Sequence, residues 1–83
     1  MSDLKSQFEA AIARTKTLPT QSTTVQLDLY GLFKQASSGD VSGARPGMFD
    51  MRGRAKWDAW DKRKGLTADQ AMQAYISYVE GLS

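Results

Sequence analysis

The sequence predicts an all-α domain, a bundle of four helices with one long internal loop. Three observations carry that expectation. Apolar residues recur at helical spacing in four segments, and no strand-like alternation competes with them. Prolines, glycines and capping residues separate the four segments. The chain has 83 residues and no cysteine, so residues 1–83 are expected to form one small domain held by helix packing without a disulfide.

In the first helix Leu4, Phe8, Ala11 and Ile12 make one apolar stripe, with Leu18 near its end. Ser2 or Asp3 is suited to cap its start, and Pro19 ends it, because the residue before a proline avoids helical geometry. A polar loop follows, and Ser22 or Thr23 is suited to cap the second helix. Val25, Leu29, Leu32, Phe33 and Ala36 form the apolar face of that helix. Gly31 in its middle costs roughly 0.5–1 kcal/mol against alanine, so a close packing contact is expected there.

Ser37-Ser38-Gly39-Asp40 ends the second helix, and residues 37 to about 50 connect it to the third. Met48 and Phe49 in this connection predict that it is pinned to a core. Ala55, Trp57, Ala59 and Trp60 lie on the third helix, which is expected to end near Lys64-Gly65. The fourth opens on Thr67-Ala68-Asp69-Gln70, a capping box, and continues through Ala71, Met72, Tyr75, Ile76, Val79 and Leu82.

Composition narrows the function. Histidine and cysteine are both absent, which removes the usual zinc ligands and the commonest general base. Neither an enzyme nor a metal site is expected. The net charge of +2 is too small to argue for nucleic acid. Yet residues 45–64 hold seven basic and three acidic side chains, so the charge is concentrated where an anionic partner could bind. No targeting segment is evident, and the longest early apolar stretch, Ala10 to Ala13, is far below the ~20 residues of a membrane span. A soluble cytoplasmic protein, without integral membrane association, is expected.

Two lysine-and-aromatic clusters flank the long loop. Tyr30 and Lys34 are one turn apart on the second helix, with Phe33 on nearly the same face. A tyrosine ring can stack on a purine and an ammonium can meet a phosphate. Equally, the pair reads as a core tyrosine beside a solvated lysine. Lys56 precedes Trp57, and Trp57 and Trp60 read as core as readily as ligand contacts. Lys16 suits the C-terminal end of the first helix dipole, and Tyr75 lies in the apolar stripe of the fourth helix.

In order and spacing these residues resemble the acyl-CoA-binding protein family. The resemblance is carried by Leu29-Tyr30-Gly31-Leu32-Phe33-Lys34-Gln35-Ala36, Arg45-Pro46-Gly47-Met48-Phe49-Asp50, Gly53-Arg54-Ala55-Lys56-Trp57-Asp58-Ala59-Trp60, Lys64-Gly65 and Ala71-Met72-Gln73-Ala74-Tyr75-Ile76. It implies an up-down-down-up four-helix bundle and one site for a medium- to long-chain acyl-CoA ester. It further implies that Tyr30, Lys34 and Lys56 hold the adenine and the 3′-phosphate, with Tyr75 and Lys16 assisting. Ile12 and Leu27 would line the acyl groove. Phe33 stands where many relatives have a second tyrosine, and Gln26 where they have an apolar residue.

The function so implied is a monomeric carrier of acyl-CoA, without cofactor, that contacts acyl-CoA-using enzymes transiently and binds no nucleic acid. The rivals are a small helical nucleic-acid-binding domain and a helix-groove module for a protein partner.

Overall fold

The computed structural model describes residues 3–82, and its helices are α1 (Leu4–Thr15), α2 (Thr23–Ser38), α3 (Met51–Asp61) and α4 (Ala68–Leu82). No strand occurs among the described residues. Ser2, one of the two candidate caps of α1, lies outside them. Asp3 fills that role, accepting the Ser6 N–H at 2.7 Å. The backbone and side-chain hydrogen bonds that Asp3 accepts from Ser6 hold its carboxyl below the usual range. Ser22 caps α2 by accepting from the Val25 N–H, and Asp50 caps α3 by accepting from the Gly53 N–H.

Two helices end earlier than expected. The α1 helix stops at Thr15, short of Pro19, and the chain tightens through three-residue turns from Lys16, Thr17 and Leu18. The hydroxyls of Thr15 and Thr17 donate to the carbonyls of Ile12 and Arg14 at 2.6 and 2.8 Å, satisfying acceptors that another α-helical turn would have used. Likewise α3 stops at Asp61, before Lys64-Gly65. The Arg63 and Lys64 amides bond three residues back, and Gly65 at φ +96° then reverses the chain.

Helix α2 is the centre of the molecule and packs against both α4 and α3, while α1 packs against α4. The main core joins Phe8 and Ala11 of α1, Leu32 and Ala36 of α2, and Ala71, Tyr75 and Val79 of α4. Helix α3 contributes nothing to that cluster. It docks on α2 through Gly31, where an added Cβ would land on the Ala59 carbonyl oxygen and lie 2.8 Å from its carbon. The close contact expected at Gly31 is therefore a backbone contact, and α3 forms a separate layer with a furrow between it and α2.

The long loop is pinned, but not by Met48 and Phe49, which are 69% and 97% exposed. Polar contacts hold it instead. Gln35 is fully buried and donates from Nε2 to Asp40 Oδ1 (2.8 Å) and to the Leu66 carbonyl (2.9 Å). The same Asp40 oxygen accepts the Gly65 N–H, and the Trp60 indole donates to the Gly39 carbonyl at 2.7 Å. Further on, Arg45 forms a two-pronged bond to Asp58 (2.9 and 2.6 Å). Hydrogen bonds from Gly65 and Gln35 hold the Asp40 carboxyl below the usual range, as the bond from Arg45 does for Asp58. These directed bonds fix a loop whose Met48 and Phe49 side chains face water.

The capping box of α4 is formed in both directions. The Gln70 N–H donates to Thr67 Oγ1 (3.1 Å) and the Thr67 N–H to Gln70 Oε1 (2.9 Å). Thr67→Ala is expected to cost about 1 kcal/mol. A melting curve should show a drop of roughly 4–8 °C for a domain of this size. An unchanged curve would mean that α4 starts without its cap.

Candidate functional site

Two hollows flank Tyr30, and both have the volume of an ordinary ligand site. The first, about 490 Å³, lies between the α1–α2 connection and the faces of α2 and α4. Thr15, Leu18 and Pro19 form one side, and Tyr30, Phe33 and Tyr75 the other. The second, also about 490 Å³, is the furrow between α2 and α3. Leu27 and Tyr30 line it from α2, and Arg52, Ala55 and Lys56 from α3. Tyr30 and Gln26 line both hollows. They therefore adjoin, one walled by three aromatic rings and the other by short or apolar side chains with two cations at its edge.

The helices place these side chains for local reasons. Tyr30, Phe33 and Leu27 fall three residues apart along α2, so they share one side of it. Phe33 is held from behind by Phe8, with ring centroids 6.2 Å apart, and Phe8 meets the Tyr75 ring edge-on at 5.1 Å. That stack fixes the back wall of the first hollow. Burial pushes the Tyr75 phenol up, with the Thr15 hydroxyl beside it acting in the opposite sense. Tyr75 is thus a neutral donor at neutral pH. Gln26 is tied by its amide to the Gln21 carbonyl at 2.8 Å, which sets it across the junction of the two hollows.

The cations are differently placed. Lys56 is exposed and its ammonium lies 5.4 Å from the Tyr30 ring centroid, at the rim of the furrow. The Lys34 ammonium rests 4.8 Å over the Trp60 ring and lines neither hollow. Lys16 is exposed at the C-cap of α1 and also lines neither, although its neighbour Thr15 does. Ile12 is half-buried against the main core and contributes to neither wall. Of the eight residues singled out in the sequence, Tyr30, Phe33, Tyr75, Leu27 and Lys56 converge, and Lys34, Lys16 and Ile12 lie to the side.

Sequence reasoning counted Arg52 among the basic residues of the segment 45–64 but did not place it in the site, where it shares the furrow wall with Lys56. The signal was its four-residue spacing from Lys56 on one helical face. It also missed the wall made by Leu18, Pro19 and Thr20. No local pattern marks a connector as a wall, because its place depends on how α1 and α2 pack.

Comparison with known proteins bears on the family and the fold. A family profile described as "Acyl CoA binding protein" matches residues 5–79. An acyl-CoA-binding protein homolog of Drosophila melanogaster is 49% identical over 77 residues, 92% of this chain and 90% of the relative. The acyl-CoA-binding protein of Ricinus communis is 50% identical over 80 residues, 95% of this chain and 89% of that relative. The crystal structure of Oryza sativa acyl-CoA-binding protein 2 matches with a TM-score of 0.93 at 44% identity, covering 96% of this chain and 90% of that one. That of the Moniliophthora perniciosa protein matches with a TM-score of 0.82 at 38% identity, covering 94% and 76%. The all-α four-helix fold is the one these structures share.

Proposed function

We propose a function that proceeds from one premise: this chain belongs to the acyl-CoA-binding protein family. It binds medium- to long-chain acyl-CoA esters, keeps them from water and carries them, and it performs no reaction on them. The observation that carries this reading is the pair of adjoining hollows that share Tyr30 and Gln26. An amphipathic ligand with a flat, charged head and an apolar tail needs two unlike compartments in contact. A nucleic-acid chain or a partner helix would need only one continuous surface.

The aromatic hollow takes the adenine, with Tyr30 as the stacking ring and Phe33 and Tyr75 as walls. Lys56 meets the 3′-phosphate by a charge-assisted bond. Lys34 joins it by leaving the Trp60 ring, a cation–π contact worth about 0.5–1 kcal/mol at an exposed site and so easily exchanged for a phosphate. Lys16 approaches from the α1 side. The furrow beside Leu27 takes the acyl chain, each buried methylene contributing about 0.8 kcal/mol. Ile12 backs the site from the core. The whole chain acts as one domain, a monomer in the cytoplasm, and meets acyl-CoA-using enzymes transiently. No helix of the described residues is long and apolar enough to cross a membrane.

Three variants test the head site. Phe33→Tyr adds a donor at the wall and is expected to tighten acyl-CoA binding by about 0.5–1.5 kcal/mol. Tyr30→Phe removes a hydroxyl and weakens binding, and Tyr30→Ala weakens it further through lost stacking. Titrations with one acyl-CoA at fixed salt check all three. If all are neutral, α2 does not hold the nucleotide.

A further inference from the structure

The furrow between α2 and α3 is not lined as a plain hydrocarbon groove. Among the described residues that line it, only Leu27 and Ala55 are wholly hydrocarbon. Thr23, Gln26 and Tyr30 follow one another along α2 at spacings of three and four, so one wall is a line of neutral hydrogen-bonding groups. The hydroxyls of Thr23 and Tyr30 form no hydrogen bond among the described residues. Gln26 stands at the junction, since it also lines the aromatic hollow, which Thr23 does not. Its amide is tethered. Nε2 donates to the Gln21 carbonyl at 2.8 Å, and the Gln21 side chain donates in turn to the Pro19 carbonyl at 2.8 Å. A backbone carbonyl only accepts, so the NH2 end of Gln26 must face Gln21. Oε1 is left as an acceptor with no partner among the described residues.

We infer that the furrow is built for acyl-CoA esters that carry a hydroxyl close to the thioester, with Gln26 as the residue that selects them. The preference rests on the carrier reading, in which the ligand passes from head to tail at the junction of the two hollows. The first carbons of the acyl group then run beside Gln26. A saturated chain covers Oε1 with methylenes and offers it no donor, and an acceptor cut off from water without a donor weakens binding. A hydroxyl on the β carbon donates to Oε1 and restores the bond that water made. Sites that hold a hydrogen-bonding group for the ligand discriminate against the analogue that lacks the matching group. CoA itself cannot set such a preference, because its amides are common to every ester. A hydroxyl at the far end of a long chain lies out of reach of Gln26.

The test is calorimetric titration of the wild type and of Gln26→Leu with palmitoyl-CoA, β-hydroxypalmitoyl-CoA and ω-hydroxypalmitoyl-CoA. Gln26 is exposed, so the variant is expected to melt close to the wild type. The wild type is expected to bind the β-hydroxy ester at least as tightly as palmitoyl-CoA. In Gln26→Leu that order reverses, and the ratio of the two Kd values shifts roughly tenfold. Palmitoyl-CoA itself binds the variant more tightly, because leucine leaves no acceptor under the chain. The ratio of the ω-hydroxy ester to palmitoyl-CoA stays the same in both proteins. An unchanged ratio for the β-hydroxy ester overturns the proposal. So does equal weakening of all three esters in the variant, which would give Gln26 to the CoA amides. An equal shift for the ω-hydroxy ester also overturns it, since the furrow would then read polarity without position. If the wild type binds none of the esters, the carrier reading falls and the preference with it. Tight palmitoyl-CoA binding with an unchanged ratio overturns the preference alone.

Discussion

Replacing Gly31 by alanine is expected to lower the melting temperature by roughly 10–20 °C, although alanine is the better helix former. Glycine-to-alanine exchange in an exposed helix interior stabilises by up to about 1 kcal/mol. At Gly31 the new methyl meets the Ala59 carbonyl oxygen and carbon, which are backbone atoms of α3 and cannot rotate away. Either α3 lifts off α2 or both helices bend. Overpacking of this kind costs about 1–3 kcal/mol, and more where the obstacle is rigid, so a net loss of about 2–3 kcal/mol is expected. Gly81→Ala is the control, since nothing lies within 4 Å of a Cβ there, and it should be neutral or slightly stabilising. The exchange at Gly31 also reaches the ligand site, because the α2–α3 spacing sets the width of the furrow. A Gly31→Ala protein as stable as wild type would mean that the two helices are not in backbone contact.

Lys56→Ala is expected to weaken acyl-CoA binding by about 1.5–3 kcal/mol, the worth of a hydrogen bond to a charged group. That is roughly a ten- to hundredfold rise in Kd. The free protein should melt close to the wild type, because Lys56 is exposed and its cation–π contact with the Tyr30 ring is worth only about 0.5–1 kcal/mol at such a site. Arg52→Ala is the comparison. Arg52 lines the same furrow but has no ring beneath it that also walls the head hollow, so a smaller loss is expected. Calorimetric titration with one acyl-CoA at fixed salt reads both. Equal losses would spread the phosphate contact over the helix, and no loss from Lys56→Ala would return that lysine to the solvated surface.

The helices were legible because their signals are local. Leu4, Phe8 and Ala11 repeat at the helical period, Thr67 and Gln70 sit three apart, and Gly39 and Gly65 stand where the chain needs positive φ. Gly31 was legible as an anomaly, since a mid-helix glycine calls for a neighbour that excludes a side chain. The loop was misread because size was taken for burial at Met48 and Phe49. What holds it is Gln35, whose partners lie 5 and 31 residues away and leave no trace in a periodic pattern. Helix ends were placed too late because Pro19 and Gly65 mark where a helix must have stopped, not where hydrogen bonding first changes. Within the site, Tyr30, Phe33 and Lys56 were visible as chemistry. The wall at Leu18 and Pro19 depends on tertiary packing and was not.

The most direct test of the account is a calorimetric titration of the protein with a saturated long-chain acyl-CoA, beside CoA alone and the corresponding free fatty acid. One acyl-CoA should bind per chain. Its affinity should exceed that of either half by roughly a hundredfold or more, because even four buried methylenes contribute about 3 kcal/mol and the head adds charge-assisted bonds. Free fatty acid binding as tightly as the ester would leave the aromatic hollow without a role, and no binding of the ester would contradict the carrier reading outright.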